Sequence, residues 1–122
     1  MSSPKIIATI LCFLLIIAPA AAVEADVLGA DKWPETVEAT VRMIISSLPD
    51  KDRLNVKNTK KEDLIRFHHG WGTGIRNYYG LWRGNKKLIL SACGKPCHPD
   101  DASMVIIEAV WEELQNEVLR PG

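Results

Sequence analysis

The chain has 122 residues, of which 47% are hydrophobic, with 15 basic and 15 acidic side chains. Once an apolar N-terminal run is set aside, about 100 residues remain, enough for one domain and too few for two. Balanced charge and ordinary hydrophobicity exclude wholesale disorder and give no support to a basic nucleic-acid binder.

The N-terminus reads as an export segment. Lys5 supplies a positive start, and Ile6 to Ile17 is apolar apart from Thr9. Pro19 breaks the run, and Ala20-Ala21-Ala22 is an A-x-A cleavage site, with Val23-Glu24-Ala25 as a second. This is the pattern of a secretory signal peptide. A membrane span needs about 20 apolar residues, and here a proline interrupts a shorter run. The division is a signal peptide over 1–22 (alternative cleavage after Ala25), a loose lead over 23–32, and a helical domain over 33–120. The expected location is outside the cytoplasm, periplasmic or secreted, with membrane contact only through an uncleaved signal segment.

Trp33-Pro34 is expected to open the first helix, with Pro34 in its first turn. Val37, Val41, Ile44, Ile45 and Leu48 fall on one helical face, and Pro49 stops it. Residues 50–57 form a short second helix with Leu54 and Val56 inward. Thr59-Lys60-Lys61-Glu62 is a capping box ahead of Leu64 and Ile65, starting a helix that ends at Gly70. Five of the chain's eight glycines lie within residues 70–84, with a short helix through Ile75 to Tyr79 closed by Gly80. Asn85 caps a helix through Leu90 to Cys93, with Gly94 beyond it. His98-Pro99-Asp100-Asp101 introduces the last helix, with carboxylates suited to its positive end. Ala102, Val105, Ile106, Ala109 and Leu114 form its stripe. Met104, Ile107 and Trp111 widen that stripe, so much of the circumference is buried. No strand alternation of useful length appears. The class is all-α, one compact domain of four or five helices.

Cys12 goes with the signal segment, which leaves Cys93 and Cys97. In an oxidising compartment such a pair is first a disulfide. Gly94 and Pro96 turn the chain between them, and so short a loop contributes only about 2 kcal/mol.

Polar chemistry concentrates in two segments. His68 and His69 are adjacent and point about 100° apart on a helix. With His98, Asp100 and a cysteine thiolate, one of them could form a zinc or copper site. That requires two distant segments to meet, and oxidised cysteines are lost as ligands, so neither a metal nor a cofactor is expected. Gly70, Gly72 and Gly74 do not match the dinucleotide fingerprint, and Cys93 to His98 is one residue too long for haem attachment. Arg76 is expected to pair with Asp100, Asp101 or Glu108, with anion binding as the alternative. Trp82 and Trp111 are expected in the core. Of Tyr78 and Tyr79, at least one should be partly exposed, near Arg76 or Arg83.

Residues 67–84 read Phe-His-His-Gly-Trp-Gly-Thr-Gly-Ile-Arg-Asn-Tyr-Tyr-Gly-Leu-Trp-Arg-Gly, and residues 98–111 read His-Pro-Asp-Asp-Ala-Ser-Met-Val-Ile-Ile-Glu-Ala-Val-Trp. With the Trp33-Pro34-Glu35-Thr36 opening, they resemble a small bacterial family of unknown function over roughly residues 33–114. The resemblance implies one helical domain and no established activity. The candidate ligand or partner site comprises His68, His69, Arg76, Asn77, Tyr79, Arg83, His98 and Asp100, with no catalytic residue assigned. The leading expectation is a non-catalytic interaction or structural module with a protein or small-molecule partner and no nucleic acid. The alternative is a small ligand binder or enzyme with its site between residues 68–83 and 98–101.

Overall fold

The last helix dictates the architecture. A computed structural model describes residues 27–119. The signal segment over 1–22, the alternative cleavage after Ala25 and the first residues of the lead lie outside the described residues. The described residues hold five α-helices, two 3₁₀ segments and no strand. The helices are α1 (Val37–Ser47), α2 (Asp50–Lys57), α3 (Trp71–Tyr78), α4 (Lys86–Cys93) and α5 (Pro99–Leu119). On α5, Ala102, Ser103, Ile106, Ile107, Val110 and Leu114 are all fully buried at 0% exposure. They occupy adjacent rows, so one neighbour cannot cover them. Helices α1 to α4 and the 3₁₀ segment Lys61–Phe67 all pack against α5.

Several boundaries differ from the expected ones. Helix α1 begins at Val37 rather than around Pro34, because the Thr36 hydroxyl accepts from Ala39 N at 3.1 Å and so caps it. Pro34 is buried instead, with its carbonyl accepting from Asn85 Nδ2 at 3.0 Å. The Thr59 capping box does not form. The Thr59 hydroxyl donates back to Asn55 O at 2.7 Å, and its carbonyl accepts from Trp111 Nε1 at 2.8 Å. The segment that follows is 3₁₀ rather than α. Its three-residue repeat turns one row inward, Leu64 with Phe67, and leaves Ile65 63% exposed. On α2, Val56 is buried as expected while Leu54 faces outward.

The C-terminal half follows its local rules. Asn85 Oδ1 accepts from Leu88 N and caps α4, and left-handed Gly94 ends it. Cys93 and Cys97 are joined in a disulfide that closes the turn into α5. Helix α3 is longer than expected, starting at Trp71. Trp82, expected in the core, is 53% exposed, because the chain turns through Gly80 to Gly84 and carries it outward. Trp111 is half-buried. The described part of the lead is not loose: Leu28 N donates to Tyr78 O, and Leu28 O accepts from Trp33 Nε1 at 3.0 Å.

Gly80 has φ +76°, and a Cβ there would lie 2.2 Å from the Trp33 ring. Gly94 has φ +73° with nothing within 4 Å. Gly80→Ala should therefore lose roughly 3 kcal/mol or more, from overpacking plus strain. Gly94→Ala should lose only about 1 kcal/mol. Urea melts of the two variants check this, and equal losses would contradict the Trp33 contact.

Candidate functional site

Arg76 lies on α3 and points into the junction with α5, with its side chain 7% exposed. Its guanidinium is almost completely satisfied. Nε lies 3.3 Å from Asp100 Oδ1, and Nη1 donates to Ser103 Oγ at 2.9 Å. Nη2 donates to the His68 carbonyl at 3.1 Å and to Thr73 Oγ1 at 2.9 Å. Each acceptor is itself held. Ser103 donates to Asp100 O, and Thr73 donates to His69 O. Gly72 makes the geometry possible, since a Cβ there would sit 2.9 Å from Arg76 Nη1 and 3.3 Å from Phe67 O. Asp100 stands in the first turn of α5, where the helix dipole favours its charge.

Around this pair the histidines arrange themselves without bonding the carboxylate. His68 Nε2 is 3.8 Å and His98 Nδ1 3.6 Å from Asp100 Oδ2, beyond hydrogen-bond length. His98 Nδ1 accepts from Asp100 N at 3.0 Å, which caps α5. His68 Nδ1 is the one sealed side-chain polar atom without a partner among the described residues. The His98 ring meets exposed Trp82 edge-on.

The predicted site is therefore dispersed, and only half of its residues come together. His68, Arg76, His98 and Asp100 converge. His69 is exposed, its ring against His68, and Asn77 is exposed on the outer face of α3. Arg83 turns away to the lead, donating to Leu28 O and Asn77 O and lying over the Trp33 ring. Tyr79, expected as a ligand-facing aromatic, is 6% exposed and packs on the α1 side of α3. Of the other proposed partners, Asp101 is exposed and Glu108 pairs with Lys61 at 3.1 Å. Gly72, Thr73 and Ser103 complete the cluster and were not anticipated. Ser103 had one signal, being a polar residue on the most apolar face of α5. The proposed zinc or copper set loses its sulfur to the disulfide, and among the described residues no three His, Cys, Asp or Glu side chains are grouped to hold a metal.

On the opposite side of α3 a groove of about 440 Å³ opens toward α1. Trp71, Gly74 and Tyr78 line one wall, and Met43, Ser46 and Ser47 the other. Tyr79 borders it. Burial, and then the neighbouring Tyr78, push the Tyr79 phenol up to about 12, so it remains a neutral hydroxyl at any physiological pH.

The fold and the interlock define an all-α domain whose two longest sequence phrases meet on one internal arginine. A family described as a domain of unknown function (DUF6794) matches residues 33–114, and the chain belongs to that family. No curated protein and no solved structure matches the chain.

Two predictions follow from the geometry. Arg76→Ala should cost about 3 kcal/mol, since it strands Ser103, Thr73 and the His68 carbonyl together. Arg76→Lys should recover less than half of that, because an ammonium cannot reach partners in three directions. Asp100→Asn should cost no more than about 1 kcal/mol, its side chain being 42% exposed. Thermal melts separate the three, and a wild-type melt for Arg76→Ala would contradict the interlock. For Tyr79, the unfolded phenol titrates near 10 and the folded one near 12. Its contribution to stability is full below pH 10 and is lost as pH rises toward 12. Tyr79→Phe should remove that part of the alkaline loss, and the wild-type-minus-variant phenolate absorbance should have its midpoint near 12.

Proposed function

We propose that this chain is an exported, non-catalytic interaction or structural module. The observation that carries the reading is the state of Arg76. The one deeply buried fixed cation of the cluster is paired with a carboxylate and donates to two hydroxyls and a carbonyl, which leaves it little capacity for a substrate anion. Catalysis by general acid and base needs groups within hydrogen-bond reach of a reacting atom. Here Arg76 is held by its protein partners and His98 Nδ1 accepts from Asp100 N as a helix cap. Export is supported by the A-x-A-terminated apolar run and by the disulfide, which persists in oxidising compartments. No described helix is long and apolar enough to cross a membrane.

The alternative, a binder or enzyme centred between 68–83 and 98–101, retains only the exposed rim of His98, Asp100 and Trp82. Two measurements test the proposal. Protein taken from the producing cell should begin at Val23 or Asp26 by N-terminal sequencing, and an intact Met1 terminus in a membrane fraction would overturn export. A His68→Gln, His98→Gln double variant should complement a strain lacking the gene. Failure to complement with an unchanged melt would move the assignment to the enzyme or binder.

A further inference from the structure

The groove between α1 and α3 belongs to neither the Arg76 cluster nor the packed core. Its lining carries no charged side chain, whereas Glu38, Asp52, Glu35 and Lys86 respectively border four other concavities of the described surface. A site without charge offers no anchor for a phosphate, carboxylate or ammonium group, so its ligand is neutral.

The wall on α3 is built by helical spacing. Trp71, Gly74, Ile75 and Tyr78 stand at i, i+3, i+4 and i+7, one face of the helix. Trp71 and Tyr78 are half-buried and flank Gly74, where an added Cβ would meet nothing within 4 Å. Two aromatic faces thus stand either side of an open backbone floor. Both rings are fixed from behind, Trp71 edge-on to Phe67 at 5.7 Å and Tyr78 edge-on to Tyr79 at 4.9 Å. Rigid walls keep the entropy cost of binding low.

The opposite wall adds hydroxyls. Ser46 and Ser47 spend their protons on the carbonyls of Met43 and Ile44, so their lone pairs remain to accept. Trp71 borders both this groove and the adjoining concavity of Asp52 and Asn55, and its indole N–H is a further donor for a ligand seated here. A wholly apolar ligand would strand these groups, at a cost in desolvation. A wholly polar one would make no use of the rings. Saccharides carry both features, apolar C–H faces edged by hydroxyls, and a groove of about 440 Å³ lies in the usual range for small-ligand sites.

We propose that the groove between α1 and α3 binds a neutral saccharide, stacked on Trp71 and Tyr78 and hydrogen-bonded by Ser46, Ser47 and the Trp71 indole. This rests on the interaction-module reading above, with a small molecule as the partner, and names its ligand class.

The test is ¹H–¹⁵N NMR of the described domain in its full mature chain, titrated with cellotriose and with triacetylchitotriose at millimolar concentration. At least one should give saturable shifts at the Trp71 indole N–H and the Gly74 amide. The Trp82 indole, exposed elsewhere, should not move. Gly74→Leu fills the floor without a Cβ clash and should weaken binding at least tenfold, while the Trp111 indole resonance, held by Thr59, confirms the fold. No saturable shift at Trp71, equal shifts at Trp82, or unchanged affinity in Gly74→Leu would overturn the proposal. So would an amphipathic helical peptide that saturates the groove where both saccharides fail. Complementation by Gly74→Leu separates the two levels. If it fails to complement and no saccharide binds, the saccharide is wrong and the module reading stands. If it complements fully and nothing binds, the groove is not the working surface and the saccharide proposal alone is wrong.

Discussion

Helix α5 has to be covered on nearly every side, and the rest of the domain is the means of covering it. Its fully buried residues form a broad band rather than a stripe. Burial of apolar surface stabilises by about 25 cal/mol per Å², but only where neighbours supply a matching surface from several directions. The other helices have 8 to 11 residues each, lengths that are marginal in isolation. They are ordered by what they bury on α5. The order of the chain reflects this, with four short helices laid down before the one that completes the core.

Apolar burial alone would not fix how α3 sits. This helix contains Gly72 and Gly74 in eight residues, so its intrinsic propensity is poor. Arg76 supplies the missing specificity. By reaching Asp100 and Ser103 on α5 and the His68 carbonyl at the preceding turn, it sets which turn of α3 meets which turn of α5. With its carboxylate 42% exposed, the Arg76–Asp100 pair adds little net stability of its own. Its effect here is on register, and Gly72 is the concession that permits it.

The consequence for function is a division of labour between the two sides of α3. Its α5 side holds the charged and titratable residues, with Arg76 held by Asp100, Ser103, Thr73 and the His68 carbonyl. Its α1 side holds uncharged aromatics and hydroxyls that remain open. A sequence-based search for chemistry is drawn to the first group, because charged and imidazole side chains are what reactions use. The open surface is made of residues that ordinarily read as core.

Much of the fold was legible in the sequence, and the legible parts share a cause. The all-α class, the Asn85 cap, the Gly94 stop, the Cys93–Cys97 bridge and the breadth of α5 all depend on interactions within about one or two helical turns, so periodicity and local residue chemistry determine them. The pairing of Arg76 with the start of α5 was within reach because a cation set among glycines allows close approach and the last helix opens with two carboxylates, Asp100 and Asp101. What only the tertiary structure decided are the cases where a distant group competes for the same atom. Asn85 takes the Pro34 carbonyl, and α1 starts later than its proline suggests. Trp111 takes the Thr59 carbonyl, Asn55 takes its hydroxyl, and the capping box never forms. Whether Trp82 or Tyr79 is buried, and whether Arg83 faces a site or the lead, depends on where the Gly80 turn sends the chain in three dimensions. Local rules fix which hydrogen bonds are possible, and long-range packing chooses among them.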